Sequence, residues 1–142
     1  MIKWFKCEYF MVLLEQVTYV SKGDKDGMNV LFVYLKDGQI KQTIYQDAKK
    51  MDGDYANLIL AWSSSCPTYQ CDVFTVALGA VINVGRTIAS PDNLQGVSAL
   101  YLDFLGGRSA QTNFEGYERL DVVFSSLVEN LEKNSGFVGK LI

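Results

Sequence analysis

A chain of 142 residues with 49% apolar and 13% aromatic side chains is long enough to bury one hydrophobic core, too short for two domains of ordinary size, and too apolar to be disordered. Histidine is absent and the net charge is −3, which excludes His-dependent triads and imidazole metal sites and offers no overall basic surplus for nucleic acid. No apolar run approaches the ~20 residues that cross a bilayer, and Lys3, Lys6, Glu8 and Glu15 break up any leader-like segment, so a cytoplasmic protein without membrane contact is expected.

Residues 2–20 are β-prone and too long for one flat strand, which predicts a bend, bulge or split near Phe10 to Leu13. Ser21 to Gly27 reads as a charged loop. Its Asp24-Lys25-Asp26-Gly27 is similar to a fragment of a calcium loop, but without the remaining ligands it is expected to be solvated. A strand over 28–36, an Asp37-Gly38 type I′ turn and a returning strand over 39–45 follow. Ala48, Met51, Tyr55, Leu58, Ile59 and Trp62 recur at helical spacing, with Asp52 as a cap or first-turn carboxylate. After a connector at Ser63 to Pro67 the same roles fall to 72–89, 97–105, a Gly106-Gly107 turn, 108–114 and a helix carrying Tyr117, Leu120, Phe124, Leu127, Val128 and Leu131. That helix is expected to stop at Asn134 to Gly136, and the tail Phe137 to Ile142 is apolar enough to dock.

The recurrence is regular. Shifted by 69 positions without a gap, residues 10–62 fall on 79–131 with ten identities, among them Val12/Val81, Thr18/Thr87, Gly27/Gly96, Gly38/Gly107, Asp52/Asp121 and Leu58/Leu127. The fold class expected is therefore α+β: two tandem pseudo-symmetric βββα or ββββα repeats, about 1–69 and 70–138, forming one domain of antiparallel sheet packed with two helices.

Chemistry is sparse. Three cysteines make no disulfide framework, Cys66 and Cys71 are expected as free thiols, and too few ligands exist for zinc, so no metal and no cofactor is expected. No phosphate-cradling glycine motif is present, and no carboxylate spacing singles out an acid–base pair. Residues 1–69 balance eight lysines against eight acids, whereas 70–142 carry five basic and eight acidic groups.

Pairing across a two-residue Asp37-Gly38 turn puts Leu31, Val33, Leu35, Ile40, Gln42 and Ile44 on a helix-covered face. The opposite face then holds the binding candidates Phe32, Tyr34, Lys36, Lys41 and Tyr45, matched in the second half by Tyr101, Arg108 and Phe114. Such a mixture suits burial against the partner repeat, a protein interface, or stacking of single-stranded nucleic acid. In the order of its elements, tandem strand-rich repeats each ending in a helix, the chain resembles the Whirly and Pur-alpha families, a resemblance that implies single-strand binding. The leading expectation is a non-enzymatic protein that binds another protein and associates with itself as a homo-oligomer, in an acidic-inhibitor manner if the partner is basic. Single-stranded nucleic-acid binding is the alternative, and an enzyme of unknown reaction comes third.

Overall fold

The computed structural model describes residues 3–87 and 98–134. The chain runs β1 (Trp4–Lys6), β2 (Met11–Leu13), a 3-10 turn (Leu14–Gln16), β3 (Val17–Lys25), β4 (Met28–Leu35), β5 (Ile40–Tyr45) and α1 (Ala48–Ser63). The second half follows with β6 (Thr68–Gln70), β7 (Phe74–Ala77), a 3-10 turn (Leu78–Ala80), β8 (Val81–Arg86), β9 (Ser98–Phe104), β10 (Ser109–Phe114) and α2 (Tyr117–Asn134). The fold is α+β, with antiparallel sheets and two helices among the described residues. Neither helix is long and apolar enough to cross a membrane. The tail Phe137 to Ile142 and the expected strand end at 88–89 lie outside the described residues.

The first β-prone stretch splits twice. Cys7 N–H donates to Phe10 O at 2.9 Å to close a β1–β2 hairpin, and the 3-10 turn at Leu14–Gln16 bends the chain into β3. The second half begins its strands earlier than expected, at Thr68, and Cys71 N–H donates to Phe74 O at 3.0 Å to close β6 on β7. Strand β3 continues through the expected charged loop to Lys25, and the two-residue turn that joins it to β4 is Asp26-Gly27, where φ is +54° and +79°. Both central positions of a type I′ turn need positive φ, and Asp tolerates this better than most residues. The type I′ turn therefore sits at Asp26-Gly27, not at Asp37-Gly38.

Five strands form one sheet in the order β5-β4-β3-β7-β6, three form another in the order β10-β9-β8, and β1-β2 stand as a hairpin. The larger sheet crosses the two halves of the chain, because β7 pairs with β3 through Tyr19↔Val76, Val20↔Thr75 and Ser21↔Phe74. Helix α1 covers one side of this sheet, burying Met51, Tyr55, Leu58, Ile59 and Trp62 against Val20, Leu31 and Val33. Helix α2 lays Leu120, Val123 and Leu127 on Leu100, Leu102 and Phe104, and Phe74 and Val76 of β7 join that second core. The N-cap of α1 is Asp47, which accepts from Lys49 N–H at 2.9 Å. Asp52, expected as a cap, is instead exposed and pairs with Lys22 at 3.1 Å.

Like contacts recur at two different spacings. The ion pairs Lys22–Asp52 and Arg86–Asp121 are each completed by a cation over a ring, Lys22 on Tyr55 and Arg86 on Phe124. The carboxylates and rings are 69 positions apart, whereas the cations are 64 apart. The hairpin closures at Cys7 and Cys71, the bulges at Val17/Tyr19 and Val81/Asn83, and the identities Phe10/Phe74, Val12/Val76, Leu14/Leu78 and Val17/Val81 also fall at 64. Under the gapless shift of 69 the described elements up to Arg86 do not correspond in kind. Val12 lies in β2 while Val81 opens β8, and Thr18 lies within β3 while Thr87 follows β8.

The β4–β5 and β9–β10 turns meet back to back. Arg108 Nε–H donates to Gly38 O at 2.6 Å, and a Cβ on Gly38 would lie 2.7 Å from Gly106 O. Gly38 also holds φ at +90°, whereas Gly27 at +79° faces open space. Gly38→Ala combines backbone strain with a steric clash, so it is expected to destabilise by about 1–3 kcal/mol. Gly27→Ala is expected to cost less, and urea denaturation of the two variants beside wild type checks the difference.

Candidate functional site

The geometry of the first hairpin decides which side chains share a surface. Gly38 N–H donates to Leu35 O at 3.0 Å and Leu35 N–H donates to Gln39 O at 2.9 Å, so the loop has three residues, Lys36-Asp37-Gly38. This is a turn followed by a left-handed glycine, the bulged hairpin connection, rather than the two-residue form. The resulting register is Val30↔Ile44, Leu31↔Thr43, Phe32↔Gln42, Val33↔Lys41 and Tyr34↔Ile40. It differs by one residue from the two-residue expectation, and a slip of one moves every β5 side chain to the opposite face. The outer face therefore carries Phe32 and Tyr34 with Ile40, Gln42 and Ile44. Lys41, Thr43 and Tyr45 lie on the α1 side with Leu31 and Val33.

The eight candidates are dispersed accordingly. Tyr45 is buried under α1, where its hydroxyl donates to Asp54 at 2.8 Å and Tyr9 meets its ring edge-on at 5.0 Å between centroids. Burial, reinforced by the Asp54 carboxylate, pushes the Tyr45 phenol up. Lys50 reaches the other Asp54 oxygen at 3.5 Å and Glu8 at 3.7 Å. Tyr34 is half-buried in an aromatic cluster with Tyr19 and Phe104, at 5.0 and 5.9 Å. Phe32 is partly buried, its ring against Gly23, where a Cβ would come within 2.9 Å of it. Arg119 lies 5.9 Å over Phe114 on the α2 side of the second sheet. Tyr101 stands 41% exposed on the other side of that sheet, opposite Gln111. Lys36 and Arg108 come together only at the contact of the two turns, and Lys41 stands alone on the α1 side of β5. Phe32 and Tyr34 thus share a face and Arg108 approaches Tyr34, but the other rings do not join them.

In place of the expected cluster, the edge of β5 brings together residues not singled out in the sequence. A cleft of about 360 Å³ opens between the first hairpin and β5, lined by Tyr9, Phe10, Met11, Val12, Val33, Leu35, Lys41, Gln42 and Thr43. Met11 and Tyr9 on its rim are each more than half exposed, as is Trp4 on the same hairpin. On the outer side, Ile44 is 55% and Met28 48% exposed beside Phe32 and Ile40. The hydrogen-bonded pair Leu35/Gln39 fixes the antiparallel alternation. Residues 39, 41, 43 and 45 therefore turn their backbone groups toward β4, and Ile40, Gln42 and Ile44 turn theirs outward. Among the described residues these outward groups have no partner.

A second cavity, about 400 Å³, lies where the C-terminal ends of both helices approach, lined by Lys3, Lys36, Ser64, Ser65, Cys66 and Asn134 among others. Burial pushes the Cys66 thiol up, against the pull of Lys36, and burial likewise raises Cys71, so both favour the protonated, unreactive form at neutral pH. Ser64 and Ser65 spend their hydroxyls on Ala61 O at 2.7 and 3.2 Å.

Helical spacing held a signal for one missed residue. Asp54 sits beside Tyr55, between Met51 and Leu58, on the buried stripe of α1, and a carboxylate there needs a partner. The β5 edge carried no comparable signal, because its face depends on the loop length. No protein-family model, curated protein sequence or solved structure matches the chain.

Burial, opposed by the Thr112 hydroxyl at 3.5 Å, pushes the Tyr19 phenol up from 10.0 to about 12, and burial also raises Tyr34 and Tyr55. An acid whose folded pKa is raised contributes stability that is fully present below its unfolded value, near pH 10, and lost as pH rises through the folded value, near 12 for Tyr19. Phenolate absorbance from Tyr19, Tyr34 and Tyr55 should therefore rise only as the fold is lost. Eight tyrosines titrating as one class near pH 10 with the fold intact would contradict this burial.

Proposed function

We propose that the chain is a tandem duplication of one strand-rich unit ending in a helix, and that it works as a protein-binding module through the β4–β5 hairpin of its first half. The duplication is supported by paired contacts that an accident of composition would not place at matching positions: hairpin closures, bulges, ion pairs and cation–ring contacts. A difference of five residues between Arg86 and β9 reconciles the spacings of 64 and 69.

The binding reading rests on one observation, an apolar strip in which Met28 and Ile44 are exposed and Phe32 and Ile40 half-buried, along a strand edge unpartnered among the described residues. Apolar centres with polar rims suit protein interfaces, and an open edge suits strand pairing. The nucleic-acid alternative loses most of its stacking rings, because Tyr34 and Tyr45 pack within the fold and Phe114 lies beneath Arg119. Its cations do not gather beside the remaining rings, since Arg108 donates to Gly38 O and Lys41 lies on the α1 side of β5.

Affinity capture with wild type, Ile44→Lys and the helix-surface control Val122→Lys tests the assignment. Partners retained by wild type and the control are expected to be lost from Ile44→Lys. Light scattering on the same proteins reads the homo-oligomeric form of the reading, a dimer that Ile44→Lys dissolves. A labelled single-stranded oligonucleotide is expected not to bind even at low salt. Steeply salt-dependent oligonucleotide binding weakened by Phe32→Ala would replace the protein reading with the nucleic-acid one.

A further inference from the structure

We propose that β5 accepts an extended peptide segment of another protein as an added antiparallel or parallel strand, one bearing apolar side chains at alternate positions and a carboxylate that meets Lys41. The inference rests on the protein-binding reading and specifies how the partner is held.

Three observations carry it. The backbone groups of Ile40, Gln42 and Ile44 point away from β4 and are unpartnered among the described residues, which is the template an incoming strand needs. Apolar surface lies on both sides of that edge. A strand added there alternates its side chains between two faces, one set over Phe32, Ile40 and Ile44, the other into the 360 Å³ cleft floored by Val33 and Leu35 and walled by Phe10 and Met11. Gln42 also lines the cleft although its side chain belongs to the outer face, so the cavity opens directly onto the strand edge.

Charge selects the occupant. Lys41 is exposed at the mouth of the cleft and has no hydrogen bond or ion pair among the described residues, and Lys6 on β1, opposite Met11, is likewise unpaired. The nearby acids are engaged: Glu8 with Lys50, and Asp54 with Lys50 and Tyr45. A carboxylate on the incoming strand complements this end of the cleft. A second copy does so poorly. Two β5 strands paired about Gln42 would set Lys41 of each across from Thr43 of the other, bringing two lysines to an apolar-floored cleft with no acid to meet them.

The test pans the full-length chain against displayed random linear peptides and measures the affinity of the selected peptide, made synthetically, for three variants. Selected sequences are expected to alternate apolar residues and carry an acid. Gln42→Pro removes the outward N–H and no β4–β5 bond, so it should weaken binding about ten-fold or more, whereas Gln42→Ala, which keeps the N–H, should bind like wild type. Lys41→Glu should weaken binding in a salt-sensitive way. Amide exchange at Gln42 should slow in the complex.

Equal binding to Gln42→Pro and wild type, or the absence of any selected binder, overturns strand addition. If Gln42→Pro retains the partners that Ile44→Lys loses, docking on the outer face stands and only the strand mode falls. Self-association abolished by Gln42→Pro would assign the edge to a second copy and overturn the proposal.

Discussion

The φ of +90° at Gly38 governs which surface the first half of the chain presents. With a left-handed residue there, the loop between β4 and β5 closes over three residues, and the bond from Leu35 N–H to Gln39 O locks the register. Register then distributes the side chains: Ile40 and Ile44 go outward beside Phe32 and Tyr34, and Tyr45 goes inward beneath α1. A tight turn thus converts a local backbone preference into a surface chemistry. The same turn is held from outside by the Arg108 guanidinium on Gly38 O and by the close approach of Gly106, so the second half of the chain reinforces the conformation on which the first-half face depends.

The halves are joined more deeply by β7 lying along β3. Tyr19 is the centre of that seam, its ring 5.3 Å from Phe74, 5.0 Å from Phe104 and 5.0 Å from Tyr34, with its hydroxyl toward Thr112. Residues from both halves therefore contribute to one aromatic cluster, worth more than their burial alone because edge-on and offset ring pairs add about 0.5–1.5 kcal/mol each. At the positions 64 and 69 later the chain has Asn83 and Asp103, which bond to each other at 3.1 Å. An aromatic seam in one sheet and a polar pair in the other give the two sheets different surface chemistry.

Helices, strand order within each hairpin and the α+β class were legible because periodicity reports burial directly: Leu58 and Leu127, read as core from helical spacing, are both fully buried. The site was not legible for a physical reason. An Asp-Gly dipeptide serves a type I′ turn at Asp26-Gly27 and a bulged three-residue loop at Asp37-Gly38, and the difference between these, one residue, inverts a strand. The early spacing was obscured in a similar way. A single offset of 69 relates the helices and the later hairpins over so many positions that it masks the shorter offset of 64 carried by Cys7/Cys71 and Phe10/Phe74.

The wall of the cleft is held by a polar contact as well as by apolar ones. Tyr45 and Asp54 form a buried hydrogen-bonded pair that ties the end of β5 to α1, and Tyr9 packs on Tyr45, so the rim of the first hairpin is anchored to the strand whose outer edge is unpartnered among the described residues. At the positions 69 later the chain has Phe114 and Val123, and 64 after Tyr9 it has Val73, apolar side chains in or against the second core. Replacing an apolar contact with a buried tyrosine–carboxylate pair gains little stability on balance, since desolvation offsets most of the bond. What the pair does supply is direction: one hydroxyl and one carboxylate 2.8 Å apart permit few arrangements of strand and helix, a constraint that an apolar contact does not impose. The constraint falls on the wall that lines the cleft beside the β5 edge.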